Sequence, residues 1–496
     1  MIAFRPLTAL TLTFSLLAGF VPAADTPPIL PDLGDTAQVA LSPQAEQKLG
    51  RQIMGMIRAS GDMLDDPEVT AYLNQLGARL ARASTVEYGQ AFQFFPMLDK
   101  QINAFALPGG YIGVHTGLIY TAQGESELAS VLAHEMAHVT QHHIARMLSQ
   151  QGNQQLLAIA GVLVAILAAS RGHNDQIAAA AMNAGGGLAA QNQLAFSREF
   201  EREADAIGMQ TLIQGQFDAR AMPLFFERMQ RVNRANDNKA LAFLRTHPVT
   251  VERISAGQDR AAQLPVKMVA DTPTFLLVRE KVRVLQLGVP AAIQFYQNAL
   301  ANRQFNSEYA TWYGLAWSRM ELGELAGATA ALKEAEARSP AHPMLLNLAG
   351  RLKLKARDYA AAQTIFREAG RRFPDARYLA YGEVDALLAQ GERARATAVL
   401  SELMRVSPND AEAWQRMAQV YADRDRLRYH QALGNAYYAQ SNQGAALEQY
   451  QLASQAPGED FYTRSSVEAR IRELQQALDE ARKAGEIKDD GKKRKP

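Results

Sequence analysis

The sequence predicts an α+β, mostly helical chain in which a domain with one small sheet precedes an all-α solenoid. Three observations carry this expectation. Apolar residues recur at helical spacing through most of the 496 residues. Aromatic and β-branched residues cluster at 91–96 and 111–115, around the turn Leu107-Pro108-Gly109-Gly110, which marks a small sheet. From residue 272 to about 480 the chain shows an internal period.

The period can be verified position by position. Pro340, Pro374 and Pro408 lie 34 residues apart, and in the same frame fall Ala328, Ala362 and Ala396, then Leu332, Phe366 and Leu400, then Trp312, Leu346 and Ala380. A small residue lets two antiparallel helices approach, a bulky one fills the gap, and proline ends the second helix before the next copy. This is the tetratricopeptide pattern. A later copy matches at Leu433, Gly434, Tyr437, Ala446, Tyr450 and Ala453, whereas the copy opening at Trp414 has no room for a second helix, so the register slips there. Ala292 and Tyr296 form a degenerate first copy, displaced by two residues.

Composition removes several function classes. With 48% apolar and 21% charged residues the chain can bury a large core, and its length favours at least two domains. A formal charge of +1 leaves no net field to draw it to nucleic acid, so no nucleic-acid partner is expected. With no cysteine, any transition metal must be held by nitrogen and oxygen ligands.

Residues 1–23 carry Arg5, an apolar run from Leu7 to Phe20, and small residues at Val21 and Ala23, the pattern of a cleavable signal peptide; an uncleaved anchor is the other reading. The expected order is then a tether at 24–41, a first folded domain at 42–265 opening with a helix capped by Ser42, the repeats at 272–480, and a basic tail at 483–496. The 14-residue apolar run Leu156 to Ala169 is too short for an ordinary membrane span. It reads either as a buried helix leading into a loop or as a peripheral membrane contact.

The chemistry concentrates in a predicted helix from Ser126 to Met147. Within it, His134 and His138 stand four residues apart on one face, about 6 Å apart at Cβ, close enough to share one metal ion. Glu135 beside that face can take a proton from a zinc-activated water. A second helical stretch, Phe200 to Asp205, places Glu201 and Asp205 at i and i+4. Glu201 can complete a His₂Glu zinc site with an open fourth position, and Asp205 can accept the free ring N–H of a ligand histidine. His142 and His143 read as structural, because helix drift carries them off the metal face. His115, His173, His342 and His430 have no ligand partners nearby in sequence.

Three blocks in order, Asn103 to Gly110, His134-Glu135-x-x-His138 and Glu201-x-x-x-Asp205, are similar to the M48 family of gluzincin zinc peptidases. The resemblance implies one zinc ion on His134, His138 and Glu201, with Glu135 as catalytic base. It also singles out Thr246-His247-Pro248 with Arg253: His247 would be a fourth, inhibitory ligand in a resting state or an oxyanion stabiliser, against the alternative of a capping histidine before a helix. Related members act in outer-membrane protein quality control. By resemblance the chain would be a periplasmic endopeptidase acting on unfolded or misassembled outer-membrane proteins, its repeats meeting the outer-membrane assembly machinery. A strand from Gly110 to Gly117 with a free edge would take extended substrate by backbone pairing. The competing reading is a tetratricopeptide chaperone or scaffold with little or no proteolysis; the complete His, Glu, His, Glu set favours the enzyme.

Overall fold

The computed structural model describes residues 41–85, 88–151, 197–235, 242–458 and 460–483. The expected signal peptide and tether, the apolar run Leu156 to Ala169, His173 and the basic tail beyond Lys483 lie outside the described residues.

Helix α1 (Pro43–Ala59) begins where expected, the Ser42 side chain accepting the Ala45 N–H at 3.3 Å. Helix α2 (Pro67–Ala83) is capped by Asp66. Three short strands follow, β1 (Gln93–Met97), β2 (Ala104–Leu107) and β3 (Tyr111–His115), in the order β1-β3-β2, with β1 parallel and β2 antiparallel to β3. The reversal between β2 and β3 needs left-handed backbone at Gly109 and Gly110, where φ is 78° and 81°. The sheet corrects one expectation: the strand at 111–115 is central and both its edges are paired. Among the described residues the unpaired edge is that of β2, since the outer side of β1 carries a bridge from Met63 to Met97.

Helices α3 (Thr116–Thr121), α4 (Glu125–Thr140), α5 (His143–Gln151), α6 (Arg198–Gln214), α7 (Ala221–Ala235), α8 (Ala242–Thr246) and α9 (Val251–Ala262) complete the first half. The single helix expected over 126–147 is two. His142 adopts a left-handed φ of 50°, which ends α4 and turns the chain before α5.

The second half is a run of helices, α10 (Pro273–Leu287), α11 (Val289–Ala301), α12 (Glu308–Leu322), α13 (Leu325–Arg338), α14 (Pro343–Lys355), α15 (Tyr359–Arg372), α16 (Arg377–Ala389), α17 (Arg393–Val406), α18 (Ala411–Tyr421), α19 (Arg426–Ala439), α20 (Gln443–Gln455) and α21 (Phe461–Lys483). The repeat chemistry is visible in the packing. Tyr296 fills the space over Gly314, Phe366 that over Gly350 and Gly382, and Tyr450 that over Gly434; a Cβ at any of these glycines would come within 2.6 Å of the ring. The register slip is also present: α18 is followed after four residues by α19, which opens the next pair with α20.

One apolar core runs from the helices of the first half into the repeats, including Val69, Leu132, Phe275 and Phe366. Buried Lys281 of α10 bridges to Asp66 and Glu68 at the start of α2, Asn347 donates to Glu68 at 2.8 Å, and the Lys281 ammonium lies 4.1 Å from the Trp317 ring centroid. A buried ammonium without these carboxylates would be strongly destabilising. The two halves also cap each other. Gly124 offers α4 no side-chain cap, so Asp271, from the linker before α10, accepts the Glu125 N–H at 2.7 Å; in return the Glu125 carboxylate accepts from Thr272, the N-cap of α10, at 2.7 Å.

Two outcomes follow for stability. Asp271→Ala should lower the unfolding free energy by about 1 kcal/mol in urea titrations, with Asn restoring most of it. His342 caps α14 by accepting the Met344 N–H, and burial pushes its pKa down to about 4. Between pH 6.5 and 4 the unfolded chain then binds more protons than the folded one, so stability falls as pH falls, by up to about 3 kcal/mol from this residue. His342→Asn, which caps without titrating, should show a correspondingly shallower loss between pH 7 and 5.

Candidate metal centre

Helix α4 is buried along its length and begins with Glu125 and Glu127 at its positive end, so its deeper turns point side chains into the protein interior. Helix α6 packs against it. The approach is close because Gly208 faces α4: a Cβ there would stand 3.1 Å from the His134 backbone nitrogen. That contact sets how near Glu201 and Asp205, two turns and one turn earlier on α6, come to the α4 histidines.

His134, His138, Glu201 and His247 are all buried, and one ligand-type atom of each lies within 4.8 Å of all the others. His134 Nε2 is 3.0 Å from His138 Nε2 and 3.5 Å from Glu201 Oε2, and His138 Nε2 is 3.5 Å from Glu201 Oε1. His247, carried on the turn between α8 and α9, brings Nδ1 to 2.9 Å from Glu201 Oε1 and 3.3 Å from His134 Nε2, and Nε2 to 3.3 Å from Glu135 Oε1. It caps no helix, since Thr250 caps α9. Two imidazole nitrogens facing each other at 3.0 Å repel unless a proton or a cation lies between them, and a carboxylate facing the same point adds negative charge. Nitrogen and oxygen donors converging in this way fit a zinc-type ion.

The charges of the cluster are tightly linked. Burial opposes ionisation of Glu201, but His247, His134 and His138 outweigh it and hold its carboxyl well below the usual range. Burial pushes His138 well below the ordinary imidazole value. His134 resists the same burial because Asp205 and Glu201 hold it up at about 9. Glu135 is fully buried, with the Ala106 backbone N–H and the His247 ring beside its carboxylate, and burial is the main influence pushing its pKa up. A carboxylate so placed is poised to exchange a proton rather than to anchor structure.

Asp205 Oδ1 lies 3.0 Å from His134 Nδ1, the ring nitrogen turned away from the cluster. Arg253 grips Asp205 with two hydrogen bonds of 2.7 Å, donates to the Pro248 carbonyl at 2.8 Å, and lies 2.6 Å from Glu201 Oε2. One guanidinium thus joins α6, the His247 turn and α9, which the sequence marked only as a neighbour of His247.

His143 was read as structural on the assumption of a continuous helix, yet it is fully buried against the cluster, its Nδ1 2.8 Å from His138 Nδ1. The break at His142 brings it back. His142 itself points to Glu46 at 3.4 Å, His115 is buried 3.6 Å from Asp99, and His430 meets Gln449 at 2.9 Å. None of these belongs to the cluster.

Known proteins resemble this chain over two blocks and over most of its length. Residues 67–261 match the model for peptidase family M48, and residues 353–420 match a tetratricopeptide repeat model. The beta-barrel assembly-enhancing protease of Escherichia coli is 31% identical over 441 residues, 86% of this chain and 87% of that protein. Its counterpart in Yersinia pestis is 32% identical over 410 residues, 82% of each chain. A mitochondrial metalloendopeptidase of Schizosaccharomyces pombe is 32% identical over 198 residues, 40% of this chain and 55% of that one. A solved tetratricopeptide repeat protein from Parabacteroides merdae, at 13% identity over 55% of this chain and 99% of its own, superposes with a TM-score of 0.27, too low to bear on the argument. By its identity to these relatives over most of its length, and by the motif-bearing helices that enclose the cluster, the chain belongs to the M48 family of metallopeptidases, joined here to tetratricopeptide repeats.

Proposed function

We propose that this chain is a zinc-dependent endopeptidase of the periplasm that removes unfolded or misassembled outer-membrane proteins, its repeats meeting the outer-membrane assembly machinery. The carrying observation is the convergence of His134, His138 and Glu201 with Glu135 buried beside them. In this reading residues 1–23 are a signal peptide, 24–41 a tether, 42–265 the peptidase, 272–480 the repeats and 483–496 a basic tail. The link to β-barrel assembly rests on the relatives' names, and the periplasmic site on the signal-peptide pattern of residues 1–23.

His134, His138 and Glu201 would hold the zinc ion, which when bound supplies a Lewis acid toward the scissile carbonyl. The protein's own groups do the rest. Asp205, held by Arg253, fixes the His134 ring with Nε2 toward the cluster. Glu135, its carboxyl raised by burial, takes a proton from the attacking water and passes it to the departing amine. The outer edge of β2 packs beside α4, where an extended segment can pair with backbone and lie along the cluster; pairing of this kind selects extended chains with little regard to side chain. His247, with a ring nitrogen among the ligand atoms, is a fourth donor that restrains the resting site. The tetratricopeptide array supplies a protein-binding surface next to this centre.

Three variants test the reading against zinc content and casein cleavage by the purified protein. Glu135→Gln should keep one zinc ion and lose about 10²- to 10⁴-fold in cleavage. Glu201→Ala should lose the metal. Absence of zinc from the unaltered protein would remove the peptidase reading and leave a repeat scaffold. His247→Ala should keep zinc and raise cleavage about tenfold, equivalent to lifting about 1.4 kcal/mol of restraint; a fall with zinc retained would instead assign His247 to oxyanion stabilisation.

A further inference from the structure

Of the two histidines on α4, His134 meets a carboxylate, that of Asp205, at its outward nitrogen. The outward nitrogen of His138 meets another imidazole. His143 Nδ1 lies 2.8 Å from His138 Nδ1, and His143 Nε2 lies 3.2 Å from Glu203 Oε2, an oxygen that also accepts from Arg146 Nη1 at 2.9 Å. The His143 ring stacks on Phe200, with centroids 4.5 Å apart and planes 9° from parallel, and the Arg146 guanidinium covers the same Phe200 ring at 4.5 Å. Phe200 and Glu203 flank Glu201 on α6, so His143 ties the α4 histidine to the helix that brings the carboxylate. The left-handed residue His142 makes the arrangement reachable from only five residues beyond His138.

We propose that His143 is a positioning residue for His138: its Nδ1 accepts a hydrogen bond from the His138 Nδ1–H and its own Nε2–H donates to Glu203, so that His138 presents a bare Nε2 to the metal. The proposal rests on the zinc reading above. The direction of the chain follows from donor and acceptor counting. A neutral imidazole that ligates through Nε2 carries its hydrogen on Nδ1. The nitrogen facing it at 2.8 Å must then be a bare acceptor, which puts the His143 hydrogen on Nε2, where the Glu203 carboxylate accepts it. Arg146 holds that carboxylate in place at the rim, where its side chain is 32% exposed. Each link is fixed by the previous one, and the chain ends on an anion that favours partial positive charge on both rings. The two ligand histidines are therefore oriented by different devices, His134 through Asp205 and Arg253, His138 through a second imidazole and Glu203.

The test compares His143→Phe, which keeps a ring over Phe200 but offers no acceptor, with His143→Asn, whose amide oxygen can accept at the Nδ1 position. Zinc affinity is measured by chelator competition on the full chain. The ligand-field spectrum of the cobalt-substituted protein reports donor geometry, and thermal unfolding in EDTA shows whether each variant is folded. The expected result is affinity weakened about 10- to 100-fold in His143→Phe with a shifted cobalt spectrum, a partial loss in Glu203→Gln, and recovery in His143→Asn. Unaltered protein that binds zinc, beside a folded His143→Phe with the same affinity and spectrum, overturns the positioning role and leaves the zinc reading intact. A His143→Asn no better than His143→Phe overturns it as well. Unaltered protein that binds no zinc overturns the zinc reading, and this inference with it.

Discussion

Glu201 and Asp205 stand one turn apart on α6, both buried, and both carboxylates lie against the single guanidinium of Arg253. Two buried anions this close repel each other and cost several kcal/mol each to desolvate. The Arg253 guanidinium, itself 4% exposed, offsets both terms with planar, bidentate geometry that a lysine could not reproduce. From that clamp the rest of the centre follows. Asp205 stays ionised and receives the His134 ring, Glu201 stays ionised and faces both α4 histidines, and the Pro248 carbonyl ties down the turn that carries His247.

The clamp works only because the scaffold lets the helices approach. Gly208 removes the one Cβ that would push α6 away from α4, and the core behind them is continuous with that of the repeats. The repeats are therefore more than an appended module. Lys281 reaches Asp66 and Glu68 at the start of α2, and Asp271 caps the helix that carries His134 and His138. A shift of α10 would therefore be felt at the first turn of α4, the helix that carries His134 and His138.

Helical content, the 34-residue repeat and the four residues His134, Glu135, His138 and Glu201 were legible in the sequence, because each rests on a short-range rule. Helical period places His134 and His138 on one face, and the repeat places a small residue opposite a bulky one in every copy. The order of the strands was not legible. Residues 111–115 read as a strand with a free edge, yet the glycine reversal sends β3 between β1 and β2, and strand order depends on contacts that no local pattern encodes.

His143 marks the boundary most sharply. Its distance along an ideal helix places it off the metal face, and one left-handed torsion at His142 ends that helix and sets the His143 ring against His138 instead. By itself the sequence determined the ligand types, their spacing within each helix, and the repeat that follows, since these depend on periodicity and on the chemistry of single residues. Only the tertiary structure decided that Arg253 bridges Asp205 and Glu201, that His247 joins the donors, and that His143 backs His138. Those contacts join segments brought together by packing, or turn on one left-handed residue, and neither is written in the local order of the chain.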